Sequence, residues 1–418
     1  MRIALVTRQY WPAVGGVERV VENLGEAFCD RGHNVTVVAQ CVDEMRFGRM
    51  THIIRERLKF APFTHKGMSV VQFRPSRRRR ALLLPLAAEL IPLGGRISRK
   101  WLRAYTSGYY VAVVRRVLEP LLADADVVHV LGAEVLAVAA VESALALGKP
   151  VAISPFAHPG EWGDDSGSVR AYRRADAVLA TTVADAQGYA ALGVPETNIH
   201  VVGLPVPDVL ATVDRPAASG APDVAPLVVY LGQRRSTKRI DLLLAATSRV
   251  WRTHPQARFA FVGPGSPLPA RDPRIIDVGR VSDAERGRWL ARADLLCLPS
   301  SSESFGLVVP EAWSQSVPVV VSDIPVLREL VTDSGGGLVA SPDPDSFAEA
   351  IVSLLDDPAR ARVLGQAGHN YWWTQLTPEA VAERHLAIYA RLRGAETPTP
   401  QVQSAPLSQA PERLARPN

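Results

Sequence analysis

Short apolar runs alternate with longer amphipathic segments along most of this chain. Strands are predicted in its first half at residues 3–7, 35–39, 70–74, 127–130, 151–154, 177–180 and 200–202. A second series is predicted at residues 227–231, 259–262, 275–278, 295–298 and 317–321. Strand candidates that alternate with helix candidates in this way indicate an α/β fold with parallel sheets.

The two series of strands are separated by a segment, residues 205–226, that is rich in Pro, Ala, Asp and Gly. Because 418 residues are also long for one hydrophobic core, we predict two Rossmann-like domains that face each other across a cleft. The predicted N-terminal domain covers residues 1–205, the linker 206–226 and the C-terminal domain 227–376. We predict a final helix at residues 377–393 and a disordered tail, rich in Pro, Gln and Ser, at residues 394–418.

The composition is that of a folded globular protein, with 47% hydrophobic and 21% charged residues and a formal net charge of only +5. No run of about 20 apolar residues is present, so we expect no segment that spans a membrane. Residues 1–7 are predicted to form a strand rather than a signal peptide. The three cysteines show neither a metal-binding spacing nor an even number for disulfides, which favours a reducing, cytoplasmic environment.

The segment with the clearest chemistry is residues 300–312, where Glu303 and Glu311 lie on either side of a Phe-Gly pair. It follows the strand predicted at residues 295–298, and Pro310 favours a helix start. Ligands of doubly wound folds bind at the carboxyl ends of the strands. Free amides in such a turn can bind an anion, and carboxylates accept hydrogen bonds from hydroxyl groups. Phosphate and polyol hydroxyl groups together indicate a nucleotide sugar.

Glu303, Phe305, Gly306 and Glu311 in this order resemble the E-x7-E motif of retaining GT-B glycosyltransferases, in particular glycosyltransferase family 4 (glycosyl transferases group 1). The resemblance covers roughly residues 1–390 and is densest at 230–339. It implies a GT-B fold, a UDP- or GDP-linked sugar donor, and neither a cofactor nor a metal ion. It also implies that the final helix crosses back to the N-terminal domain. The alternative for the two glutamates is an ordinary solvated loop.

A second motif lies at residues 230–241, which resemble the family's Gly-Arg-x4-Lys signature for the donor diphosphate. Lys238, the only lysine in the second half of the chain, matches the lysine of this signature. Gln233 stands where the family has arginine, and Arg234 follows it. Either Arg234 turns inward or the diphosphate has one cation fewer. A solvated basic run is the alternative.

Four further features match the family. Gly16 belongs to a Gly-Gly-x-Glu turn, which the resemblance places at the acceptor and donor phosphates, although an ordinary strand-to-helix turn is the alternative. This turn lacks the dinucleotide spacing G-x-G-x-x-G. His158, shortly after the strand at residues 151–154, would lie near the transferred sugar, and Gly263 would lie in a loop over the nucleotide. Glu329 matches another family glutamate, for which we expect a structural role.

The resemblance assigns roles to these residues. Lys238, with or without Arg234, and the amides of Phe305, Gly306 and Leu307 would bind the diphosphate. Glu311 would bind the ribose hydroxyl groups and Glu303 would orient the sugar, with His158 near its reacting face.

Residues 74–103 are the least family-like segment and the most basic, with arginines flanking an apolar patch. This pattern is typical of contact with an anionic membrane surface. A solvated loop is the alternative, whereas the lack of aromatic interleaving argues against nucleic acid. From this segment we expect a cytoplasmic enzyme, peripheral on the inner face of the cell membrane. Together with the family resemblance, it implies a lipid-linked or cell-envelope glycan acceptor.

Two other functions remain open at this stage. A nucleotide-sugar 2-epimerase-like GT-B enzyme would use a nucleotide sugar without an acceptor. A non-catalytic protein would bind the nucleotide sugar only. Acceptor-dependent turnover of the donor distinguishes all three.

Overall fold

The structure is a computed structural model that describes residues 1–13, 15–40, 62–73, 96–157, 162–209, 225–269 and 272–394. The predicted linker and tail lie mostly outside these ranges, as do His158 and most of the basic segment.

The first domain is built on an eight-stranded sheet. Its strands are β1 (Arg2–Thr7), β2 (Asn34–Gln40), β3 (Phe63–His65), β4 (Met68–Phe73), β5 (Val127–Leu131), β6 (Val151–Ser154), β7 (Ala177–Ala180) and β8 (Ile199–Val201). The order is β3-β4-β2-β1-β5-β6-β7-β8, and only the pair β3–β4 is antiparallel. The helices described in this domain are α1 (Gly16–Asp30), α2 (Arg96–Leu122), α3 (Glu134–Ala146), α4 (Ser166–Arg174) and α5 (Val183–Ala191).

The second domain is built on a six-stranded parallel sheet in the order β11-β10-β9-β12-β13-β14. Its strands are β9 (Leu227–Leu231), β10 (Arg258–Val262), β11 (Ile275–Gly279), β12 (Leu295–Leu298), β13 (Val319–Ser322) and β14 (Gly337–Ala340). The helices that follow β9 in this part of the chain are α6 (Ile240–Thr253), α7 (Asp283–Ala291), α8 (Val308–Ser314), α9 (Pro325–Ser334), α10 (Pro344–Asp356) and α11 (Pro358–Tyr371).

Helices cover both faces of each sheet, which explains why the central strands are mostly apolar. All residues of β5, β6, β7, β9, β12 and β13 are buried. Parallel sheets require this double cover. The predicted strands are all present to within two residues, and β3 and β14 were not predicted. Both are short, and β14 follows a Gly-Gly pair and itself begins with glycine, so neither carries an apolar run typical of a strand.

The last helix, α12 (Pro378–Leu392), packs against α1 of the first domain. The hydroxyl group of Tyr389 lies 2.6 Å from His129 Nδ1 in β5, and both residues are buried. A π-helical turn, Trp372–Leu376, joins α11 to this crossing, and Trp372 Nε1 donates to the carbonyl of Val206 at 2.8 Å. The chain therefore returns from the second domain to the first at residues 372–378. No helix in the described part of the chain combines the length and apolarity needed to span a membrane.

Candidate functional site

The carboxyl ends of β9 and β12 bring the two sequence motifs together. Lys238 ends a short 3-10 turn after β9, and Glu303 lies in the loop after β12. Lys238 Nζ donates to Glu303 Oε1. The backbone supports this pairing, because the amide of Ser301 donates to the carbonyl of Thr237 at 2.8 Å. Two residues 65 positions apart thus form one ion pair at the sheet edge.

The Lys238–Glu303 pair is partly shielded from water, with the side chains 23% and 10% exposed. An ammonium group has three donors, and Glu303 Oε1 accepts from one of them. The remaining hydrogen-bonding capacity suits an anion placed beside this pair.

Glu311 lies in the first turn of α8 and is 5% exposed. Its Oε1 atom lies 3.0 Å from Arg286 Nη1 of α7 and 3.7 Å from Arg19 Nη1 of α1. Its Oε2 atom is buried without a hydrogen-bond partner among the described residues. Burial raises the pKa of this carboxyl, and the two arginines oppose that rise. The site therefore contains a buried carboxylate oxygen that can still accept a hydrogen bond.

The turn that joins Glu303 to α8 also meets the first domain. Gly306 adopts φ +82°, a conformation that favours glycine, and a Cβ atom there would lie 2.7 Å from Leu327 Cδ2. Phe305 is buried, and Leu307 approaches the α1 turn so closely that a Cβ on Gly16 would lie 3.6 Å from Leu307 Cδ1. The two predicted glycine turns therefore face each other across the cleft.

Arg234 does not point at Lys238 or Glu303 in this structure. Its guanidinium donates to Asp277 Oδ1, to the carbonyl of Ser266 at 2.9 Å and to that of Phe261 at 3.1 Å, and the side chain is 3% exposed. The hydrogen bond from Arg234 lowers the pKa of Asp277. These contacts hold the ends of β10 and β11 together.

Gly263 directly follows β10. It adopts φ +135°, and a Cβ atom there would lie 2.0 Å from the carbonyl oxygen of Gly232. Only glycine allows the loops after β9 and β10 to approach this closely.

The loop that carries Glu303 is also held by the first domain. Thr181 Oγ1, at the end of β7, lies 3.0 Å from the carbonyl oxygen of Ser304. Glu329 of α9 accepts hydrogen bonds from the first two amides of α5, at 2.5 Å from Val183 and 2.7 Å from Ala184. Both contacts join the two domains next to the cleft.

Three charged residues around Glu311 were not predicted from the sequence. Arg19 extends from the first domain and donates to Asp283 Oδ1 at 2.5 Å as well as facing Glu311. Arg286 contacts the same carboxylate from the second domain. Arg19 follows the Gly-Gly-x-Glu turn in sequence, so the turn could have drawn attention to it, whereas no local pattern marks Asp283 or Arg286.

Metal-ligating side chains do not gather anywhere in the described ranges. No group of three or more His, Cys, Asp and Glu residues is placed there to hold a metal ion.

Two family models match the chain. The model described as "Glycosyl transferase 4-like domain" matches residues 15–205, and the model described as "Glycosyl transferases group 1" matches residues 225–357. The first match covers most of the eight-stranded sheet with its helices, and the second covers the six-stranded sheet.

Known proteins of several activities are similar to this chain. Glycogen synthase of Mycobacterium tuberculosis is 28% identical over 425 aligned positions, which cover 96% of this chain and 98% of that protein. Phosphatidyl-myo-inositol mannosyltransferase of Mycolicibacterium smegmatis is 29% identical over 201 positions, or 45% of this chain and 51% of that protein. The structure of HepE from Anabaena in complex with UDP and glucose superposes with a TM-score of 0.64 at 15% identity, covering 93% of this chain and 99% of that one. The fold class predicted from the sequence is confirmed.

Proposed function

Because the chain belongs to the group 1 glycosyltransferases of the GT-B type, we propose that it moves a sugar from a UDP- or GDP-linked donor to a lipid-linked or cell-envelope glycan acceptor. We further propose that the transfer retains the anomeric configuration and needs no metal ion. The observation that carries the donor site is the pairing of Lys238 with Glu303 at the carboxyl ends of β9 and β12, on the segment that leads to the buried Glu311 of α8.

Lys238 is the proposed cation for the donor diphosphate. Negative charge builds on the diphosphate as it leaves, so a fixed ammonium group stabilises the transition state more than the ground state. The pairing with Glu303 supports this role, because it holds Lys238 Nζ at the sheet edge before the donor binds. The backbone amides of Phe305, Gly306 and Leu307 are proposed to share the charge.

The two glutamates are proposed to act on hydroxyl groups. Glu311 would accept from the ribose through its unpartnered Oε2 atom, and Glu303 would orient the sugar. The contacts that join the domains at Thr181 and Glu329 support a closed cleft, which would exclude the water that otherwise hydrolyses the donor. His158 lies outside the described residues, and its role near the sugar stays a proposal.

Arg234 is proposed to be structural, so that the diphosphate has one cation fewer than the family signature implies. The support for this choice is the engagement of its guanidinium with Asp277 and two backbone carbonyls.

The donor site is tested by calorimetric binding of UDP and GDP to the wild type, to Glu311→Ala and to Glu311→Gln. We expect one nucleotide to bind and both variants to lose most of that binding. Glu349→Ala, an exposed glutamate of α10, serves as the control and should bind like the wild type. If neither nucleotide binds the wild type, or if the Glu311 variants bind normally, this assignment of the donor site is wrong.

The acceptor is proposed to lie at a membrane surface, with the protein peripheral on its cytoplasmic side. Two observations support this: the basic and apolar composition of residues 74–103, and the similarity to an enzyme whose name includes phosphatidyl-myo-inositol. Changing Arg77, Arg78, Arg79 and Arg80 together to Ser should sharply reduce sedimentation with anionic liposomes at low salt, at about 1 kcal/mol for each charge. Neutral liposomes are the control, and unchanged sedimentation would contradict the proposal.

A further inference from the structure

Arg19 is a first-domain residue that reaches the candidate nucleotide site of the second domain. It lies in the first turn of α1, and its side chain is 24% exposed. Nη2 donates to Asp283 Oδ1 at 2.5 Å, and Nη1 lies 3.7 Å from Glu311 Oε1. One guanidinium from the first domain therefore contacts two carboxylates of the second.

Arg286 completes the group from the other side. Its Nη1 atom lies 3.0 Å from the same oxygen, Glu311 Oε1, and its Nη2 atom lies 3.8 Å from Asp283 Oδ1. Two guanidinium groups thus face two carboxylates, and their charges balance. An uncompensated carboxylate as deeply buried as Glu311 would be strongly disfavoured.

The two oxygens of Glu311 have different surroundings. Oε1 is held by cations from both domains, whereas Oε2 is buried and unpartnered among the described residues. Fixing Oε1 restricts rotation of the carboxylate, so Oε2 stays available for a hydroxyl donor. A preoriented acceptor loses less entropy when a ligand binds.

We propose that Arg19 is a positioning residue that makes nucleotide affinity depend on closure of the two domains. This inference rests on the proposed contact between Glu311 and the ribose. When the domains are closed, Arg19 helps to keep Glu311 ionised and oriented, and when they part, the carboxylate retains only Arg286. Since coupling between two equilibria is reciprocal, nucleotide binding would in turn favour the closed arrangement.

A purely structural salt bridge would predict something different. Loss of Arg19 would then lower stability but leave nucleotide affinity and its pH dependence unchanged. Among the described residues, the charged groups that face Glu311 are Arg19, Arg286 and Asp283. Burial raises the pKa of Glu311 and Asp283 raises it further, while both arginines lower it. Without Arg19 the pKa of Glu311 should rise further, so binding that needs the ionised carboxylate would fail at a higher pH.

The test is calorimetric affinity for the nucleotide that the wild type binds, UDP or GDP, between about pH 5 and pH 8. Arg19→Gln is expected to weaken binding roughly 5- to 150-fold at neutral pH, the usual size of coupling between two sites. It should also move the acidic loss of binding to higher pH, since an opposite charge beside a carboxylate favours its ionised form. Arg19→Lys, which keeps the charge, should restore part of both effects and is the variant to use if Arg19→Gln does not fold.

Arg31→Gln is the matched control, because Arg31 follows the same helix and donates to the carbonyl of Glu379 far from Glu311. It should bind like the wild type. If Glu311→Gln loses binding while both Arg19 variants keep wild-type affinity and pH profile, the inference is overturned and the donor site stands. If Glu311→Gln itself binds normally, the proposed donor site is wrong, and the inference about Arg19 that depends on it is wrong too.

Discussion

Lys238 shows how far a single residue can be interpreted from sequence. Its rarity in an arginine-rich chain and its place in the Gly-x5-Lys pattern marked it as a donor-site candidate. Its ion pair with Glu303 could not be predicted, because those residues come from the ends of two different strands, β9 and β12. For the neighbouring pair Gln233 and Arg234, the sequence left open whether Arg234 turns inward or whether the diphosphate has one cation fewer. Only side-chain packing distinguishes these two possibilities.

Lys238→Ala should lower turnover by roughly 10²–10³-fold, the usual loss for one preorganised donor at a developing negative charge. The measurement is steady-state transfer with saturating donor and acceptor. Lys66→Ala is the control, since Lys66 also pairs with glutamates, Glu22 at 3.3 Å and Glu26 at 2.9 Å, but on the surface of the first domain. Turnover within about threefold of the wild type for Lys238→Ala, well under that expected loss, would remove this residue from the site.

At the scale of elements, the N-terminus of α5 is capped in part by a residue of the other domain. The side chain of Thr182 accepts from the amide of Asp185 at the start of α5, as its position before the helix predicts. The amides of Val183 and Ala184 instead donate to Glu329 of α9. Since the first amides of a helix have no partner within it, this carboxylate satisfies groups that would otherwise lack one.

Glu329→Ala should therefore lower the free energy of unfolding by about 2 kcal/mol, because it removes two hydrogen bonds to a charged acceptor. Urea denaturation measures the change. Glu349→Ala, on the exposed face of α10, should stay within about 0.5 kcal/mol of the wild type. Equal stability of the two variants would show that water replaces Glu329 without loss.

At the scale of the whole molecule, the crossing helix α12 closes the structure over a buried polar cluster. His129 Nε2 lies 2.9 Å from Ser154 Oγ, and Tyr389 contacts the other ring nitrogen. His385, also on α12, is 3% exposed, and its Nδ1 atom lies 2.8 Å from the carbonyl oxygen of Val381. Burial disfavours a positive charge on either histidine, and the pKa of His385 falls to about 4.

This cluster predicts acid sensitivity. Between about pH 6.5 and pH 4 the unfolded chain protonates His385 while the folded chain does not, so stability is complete above this window and is lost as the pH falls through it. The loss from His385 alone should approach roughly 3 kcal/mol. Urea denaturation at several pH values should show a shallower acid slope for His385→Gln than for the wild type.

Burial raises the pKa of Asp185 to about 6, so this residue should increase stability as the pH falls. Its contribution is the same in the wild type and in His385→Gln, so it cancels in this comparison. Identical slopes for the wild type and His385→Gln would contradict the assignment of acid sensitivity to His385.

The amino-acid sequence by itself determined the architecture and the motif positions. Strands buried on both faces need continuous apolar runs, so β6, β7, β9 and β12 were predicted with their observed bounds. Glycines are also local requirements: Gly263 and Gly306 lie where the backbone has positive φ and no room for a Cβ atom.

Only the tertiary structure decided which charged and polar side chains meet. Arg19 and Asp283 are 264 positions apart, and His129 and Tyr389 are 260 apart. Their pairing depends on how two domains and a crossing helix pack together, which no local pattern encodes. The same holds for Arg234, whose neighbours in sequence suggest a phosphate ligand but whose neighbours in space are a carboxylate and backbone carbonyls. Local sequence determines the backbone position from which a side chain extends, and long-range packing determines which groups it contacts.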